Sequence, residues 1–166
     1  MDQTGHRASI GPLGIGVVVL SLITAIIHLY LFYIEGFLGN GEMLPKFQVL
    51  FVGIFFAYLT LLAVLYLPFR YSLARFRPVA RAFIITLAFS SFLSYFRVGV
   101  FDSLGNIDKV VEALLIAAVT ADAAVSRDGE PDRDSESGGV RSAVLQLGIG
   151  LVAGFAVFMF LSLFIG

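Results

Sequence analysis

Tyr95-Phe96-Arg97-Val98-Gly99-Val100-Phe101-Asp102-Ser103-Leu104-Gly105-Asn106-Ile107-Asp108-Lys109-Val110-Val111-Glu112 is the stretch on which the fold turns. It sets five charged side chains, Arg97, Asp102, Asp108, Lys109 and Glu112, between two strongly apolar runs. The rest of the chain is greasy: of 166 residues, 58% are hydrophobic and 14% charged, and the mean hydropathy is +0.93. Soluble domains carry nearer a quarter charged residues. Such a composition implies a chain that lives in a bilayer, where a charge below the surface needs a partner.

On either side of that stretch the apolar runs have the length of membrane spans, which need ~20 residues to cross ~30 Å of hydrocarbon. Leu13–Ile34 is the first. It is too long for the core of a signal peptide and no small-x-small site follows it, so an uncleaved span is expected. Gly36-Phe37-Leu38-Gly39-Asn40-Gly41 reads as a turn, and Pro45 suits the start of the next helix. Lys46–Phe69 is the second span and Ala82–Phe101 the third; the loop between them, residues 70–81, holds Arg70, Arg75, Arg77 and Arg81. A fourth helix is expected from Asn106, as N-cap, to about Val125, with Asp108 in its first turn favoured by the helix dipole. It would reach only ~28 Å at 1.5 Å per residue, which makes it the shortest crossing. Residues 126–139 read as an acidic disordered linker, rich in Asp, Glu, Ser and Gly. Val140–Ile165 is the fifth span. The expected fold is therefore an all-α integral membrane bundle of five transmembrane helices: a four-span body over residues 1–125 and a tethered C-terminal helix over residues 140–166.

Charge supplies orientation. With the arginine loop and the N-terminus inside, eight of the eleven Lys and Arg residues lie inside and three, Lys46, Arg97 and Lys109, outside. That satisfies the positive-inside bias with the N-terminus cytoplasmic and the C-terminus outside the cell membrane. Tyr30, Tyr33 and Tyr95 then sit near the outer interface, and Tyr66 and Tyr71 near the inner one.

Rise per residue compares depths. Glu112 lies ~9 Å below the outer start of helix four, Arg97 ~7 Å below the end of helix three and His28 ~10 Å below the end of helix one. His28 and Glu35, seven apart, share a face of helix one; Asp108 and Glu112, four apart, share a face of helix four. Lys109 is placed for a local pair with Glu112. These six residues, His28, Glu35, Arg97, Asp108, Lys109 and Glu112, outline a candidate polar pocket open to the outside, with Arg97 and Glu112 as its charged pair. The plainer alternative is that Arg97 and Glu112 only stitch helices together or snorkel to the interface, and that His28 is a buried histidine bonded to a carbonyl or hydroxyl.

Other signals are weaker. Gly148, Gly150 and Gly154 give the last helix a smooth stripe for close helix packing, against its own bundle or, given the linker, against a partner. Ser90, Ser91 and Ser94 make a small polar patch on helix three. A bis-histidine haem needs a second buried histidine, and His6 lies outside the spans, so no cofactor and no metal are expected. The chain has no cysteine, no phosphate-binding loop, no nucleophile elbow and no zinc pair. An enzyme is not expected, and the net charge of −1 argues against nucleic acid. The expected partners are the lipid bilayer and other membrane subunits or a second copy.

Ile27-His28-Leu29-Tyr30-Leu31 in the first span and Gly105-Asn106-Ile107-Asp108-Lys109-Val110-Val111-Glu112 opening the fourth carry a resemblance. The layout of residues 10–125 resembles a family of small, uncharacterised multi-pass membrane proteins common in halophilic archaea. It implies no activity. The linker and last span look like an extension of that pattern. Two functions are consistent with the sequence: a non-enzymatic structural or accessory membrane subunit, and a small transporter or sensor of a proton, an anion or a small polar solute.

Overall fold

The computed structural model describes residues 10–38, 45–67, 75–99, 101–126 and 137–165. Among these the chain is all helix: α1 (Pro12–Leu31), α2 (Pro45–Tyr66), α3 (Arg77–Val98), α4 (Ser103–Val125) and α5 (Ser137–Ile165). Four stretches are long and apolar enough to cross a membrane: Pro12–Phe37, Pro45–Tyr66, Arg77–Val98 and Gly139–Leu163. Only α4, which holds Asp108, Lys109, Glu112 and Asp122, falls outside that set. The part of the acidic linker at residues 127–136 lies outside the described residues.

Local chemistry explains where each helix stops and starts. Pro12 and Pro78 occupy first-turn positions, where the missing N–H costs nothing. At its C-terminus α1 widens into a π-helical segment, Phe32–Phe37, and Leu38 N–H bonds the carbonyl of Tyr33. Gly36, expected in a turn, is buried inside this segment, and its carbonyl accepts from Gln48 Nε2 on α2 at 3.2 Å. α3 ends at Gly99, whose φ of 73° is left-handed and suits glycine. Asp102, not Asn106, caps α4: its carboxylate accepts from Gly105 N–H at 2.6 Å. Asn106 lies one turn inside and accepts from the Tyr95 hydroxyl at 3.0 Å. A cap four residues earlier lengthens α4 to 23 residues, or ~34 Å.

α4 is central: α1, α3 and α5 all pack on it, while α2 packs on α1 and α3. Val17, Tyr58, Ile84, Ile85, Leu115 and Val119 form the apolar core. α5 lies along α3 in parallel: Gly150 abuts Ile85 and the carbonyl of Ala82, and Gly154 abuts the carbonyl of Thr86 and the Phe89 side chain. Thr86 Oγ1 also donates to the carbonyl of Gly150. Gly148, grouped with them in the sequence, faces open space.

Over residues 107–114 α4 turns its charges inward and apolar side chains outward. Asp108, Lys109 and Glu112 are buried, whereas Ile107, Val110 and Leu114 are exposed. At its far end Asp122 takes two hydrogen bonds from the buried Arg81 (3.2 Å from Nε and 2.9 Å from Nη2), and Ser126 takes another. Arg81, expected in the arginine loop, belongs to α3, and with Asp122 it locks the lower end of the bundle.

Candidate functional site

The upper end of the bundle, where α1 and α3 finish and α2 and α4 begin, holds a buried ionic cluster. Its centre is Lys109. The ammonium donates to Glu112 Oε2 at 2.5 Å and to Ser91 Oγ on α3 at 2.7 Å, and it pairs with Asp108 Oδ2 at 2.9 Å. Two hydrogen bonds and a further ion pair thus hold the ammonium. Lys109 also lies 5.7 Å from the centre of the Tyr95 ring.

α1 supplies the opposite wall. Thr24 Oγ1 donates to Asp108 Oδ1 at 2.7 Å, which fixes the second oxygen of that carboxylate. His28 Nδ1 lies 2.8 Å from the carbonyl of Thr24. A carbonyl only accepts, so Nδ1 carries a hydrogen, and in the neutral ring the lone pair is then on Nε2. The His28 ring meets Phe51 of α2 edge-on at 5.6 Å.

One acceptor in this cluster has no partner. Glu112 Oε1 is buried and unbonded among the described residues, in a side chain with no exposed surface. Tyr58 of α2 is equally enclosed, its hydroxyl is also without a partner, and the fields of Glu112 and Asp108 reach it. Such unsatisfied groups are rare in native interiors because each loses its water without compensation.

A cavity of about 860 Å³ opens beside the cluster. Asp108, Lys109 and His28 form part of its wall, as do Ser90, Ser91 and Ser94. Its remaining wall is largely apolar, with Phe47 and Phe51 on one side and Val157 and Leu161 of α5 on another. Its size falls in the range of small-molecule sites.

The six residues singled out in the sequence separate into two groups. His28, Asp108, Lys109 and Glu112 come together, 3%, 2%, 8% and 0% exposed. Glu35 lines the cavity but is exposed. Arg97 is exposed in the last turn of α3 and is not the partner of Glu112; Lys109 is. Depth along a helix is readable from rise per residue, but direction is not. Ser91 faces Lys109, and Arg97, six residues on, points roughly 240° round from it. Thr24 and Tyr58 were missed, because a lone hydroxyl in an apolar run carries no sequence signal until its neighbours are known.

One carboxylate oxygen each from Asp108 and Glu112 and a ring nitrogen of His28 lie within 4.8 Å of one another, a spacing that a metal ion could bridge. Between the two carboxylates, however, stands the Lys109 ammonium. It supplies the positive charge a metal would bring, so the donor set fits a salt-bridged cluster better than a metal centre. Compared with protein-family models, curated proteins and solved structures, the chain matches none.

Proposed function

We propose that the protein is a non-enzymatic multi-pass membrane protein that takes up one proton at Glu112, as a small transporter or sensor. The observation that carries this reading is the charge count of the buried cluster. Two carboxylates face one ammonium; with neutral His28 the sum is one negative charge, held away from water. An uncompensated buried charge is strongly unfavourable, and one proton on Glu112, whose Oε1 has no partner, removes it. The groups around this proton are Lys109 and Asp108 on the same helix, His28 on α1, Tyr58 on α2 and Ser91 on α3, while among the described residues α5 brings Val157 and Leu161 to the cavity wall. The sign of the cluster favours a proton or cation over an anion.

In this reading α4 is the fifth span. What supports it is its outward face of Ile107, Val110 and Leu114, apolar where lipid would touch it, with every buried charge turned inward. The arginine distribution supports an upper end that faces outside and a cell-membrane location. The accessory-subunit reading, the first expectation from the sequence, rests on a last helix free to pack on a partner; against it, Gly150 and Gly154 pack on α3 of the same chain.

The test is proton entry into liposomes that carry the full chain and an enclosed pH dye, after an external acid step. Faster acidification than in protein-free liposomes, lost in Glu112→Gln, supports a transporter. An unchanged rate, with reversible protonation of Glu112, supports a sensor. An unchanged rate with no protonation refutes both.

A further inference from the structure

We infer that the cavity beside the cluster binds a lipophilic organic monocation, an apolar or aromatic body bearing one positive charge, in exchange for the proton on Glu112. The assignment stands on the proton reading above and adds the substrate class. Three features of the wall carry it.

First, the wall is acidic. Glu35, Asp102 and Asp108 line it against a single ammonium, Lys109, which is already held by Asp108, Glu112 and Ser91. Asp102 spends one oxygen on the α4 cap, but its charge remains. Glu112, just behind Lys109, adds a further carboxylate. An anion would meet this field with repulsion, and a neutral solute would gain nothing from it. Secondly, the same wall carries three aromatic rings, Phe47, Phe51 and Tyr95. An aromatic ring attracts a cation over its face, and more strongly where water is excluded. Thirdly, the rest of the wall is aliphatic, with room for a body of drug size. Small inorganic cations would leave that room empty and those surfaces unused.

The exchange balances in charge. With Glu112 protonated the cluster is neutral. When a monocation enters, the proton leaves Glu112 for water, and the negative charge this restores to the Asp108–Lys109–Glu112 cluster balances the cation through Asp108 on the wall. No bond other than that O–H is broken or formed.

The experiment uses the full chain in lipid nanodiscs and two probes of nearly the same shape and opposite charge, tetraphenylphosphonium and tetraphenylborate. Saturable binding of the phosphonium is expected, at least about tenfold tighter than the borate, and weakening as the pH falls because the proton competes. Glu112→Gln should remove that pH dependence. Glu35→Gln, at an exposed position, should weaken phosphonium binding a few-fold and leave borate unchanged. Equal affinity for the two probes, or uptake that never saturates, would overturn the assignment as mere partitioning into lipid. The infrared C=O band of protonated Glu112, followed in the same sample, separates the two readings. A band that is present but indifferent to the phosphonium sinks the substrate class alone, whereas an absent band sinks the proton reading as well.

Discussion

Each side chain in the cluster has a separable role. Lys109 is the one cation between two buried carboxylates, so Lys109→Met leaves both without a counter-charge. Breaking a buried pair in this way costs about 3–5 kcal/mol, and the variant should unfold at markedly lower temperature in detergent. Glu112→Gln keeps the shape and leaves the Lys109–Asp108 pair intact. It also removes the uncompensated charge, so its cost should stay within about 1 kcal/mol; thermal unfolding of the two variants side by side should rank them in that order. Thr24→Val is nearly isosteric and takes the hydroxyl from Asp108 Oδ1; leaving that oxygen unpaired should cost about 1–3 kcal/mol, readable in the same assay. At this scale the sequence was partly legible. Asp108 and Glu112 share a face because they are four apart, and Lys109 reaches Glu112 because it is three away. The Thr24–Asp108 bond joins residues 84 apart, and no local rule connects them. Arg97 misled because its depth matched while its direction did not.

Helix ends and helix contacts obey backbone rules that the sequence states only in part. Pro45 did start α2, whereas the start of α4 fell to Asp102 over Asn106, two residues with equal capping chemistry. What decides is the turn before them: Gly99 ends α3 in the left-handed region and sends the chain back at once. Gly99→Ala places a Cβ in that conformation and should cost roughly 1–2 kcal/mol, with unfolding in detergent as the measure. The glycine stripe of α5 divides sharply. A Cβ on Gly150 would sit 2.6 Å from the Ile85 side chain, while one on Gly148 would meet nothing within 4 Å. Gly150→Ala should therefore destabilise by about 1–3 kcal/mol through overpacking, and Gly148→Ala should be close to neutral. Spacing alone made the three glycines equivalent; the helix onto which they turn separates them. Arg81 and Asp122, 41 residues apart, were invisible as a pair for the same reason as Thr24 and Asp108.

Taken whole, the molecule is a bundle of helices with an apolar core, buried ionic contacts toward each end and many apolar side chains exposed on its outer faces. Four of its helices were legible from length and hydropathy, because hydrocarbon sets both. α4 was harder: its buried charges lower its hydropathy and hide the apolar face that would meet lipid. Single cysteines test its crossing. With an impermeant reagent on intact cells, Asn106→Cys at the upper end should label, while Gly11→Cys and Val125→Cys, both exposed at the lower end, should label only after permeabilisation. Labelling of Asn106→Cys and Val125→Cys from the same side would mean that α4 does not cross. The central claim concerns what the bundle encloses, namely one carboxylate more than its buried lysine can neutralise. Infrared spectroscopy of the full chain through a reversible pH titration addresses it most directly. The expected result is a C=O band of a protonated carboxylic acid, shielded from solvent exchange, which rises on acidification and is missing from Glu112→Gln. A spectrum without such a band, or with the same band in Glu112→Gln, would contradict the account.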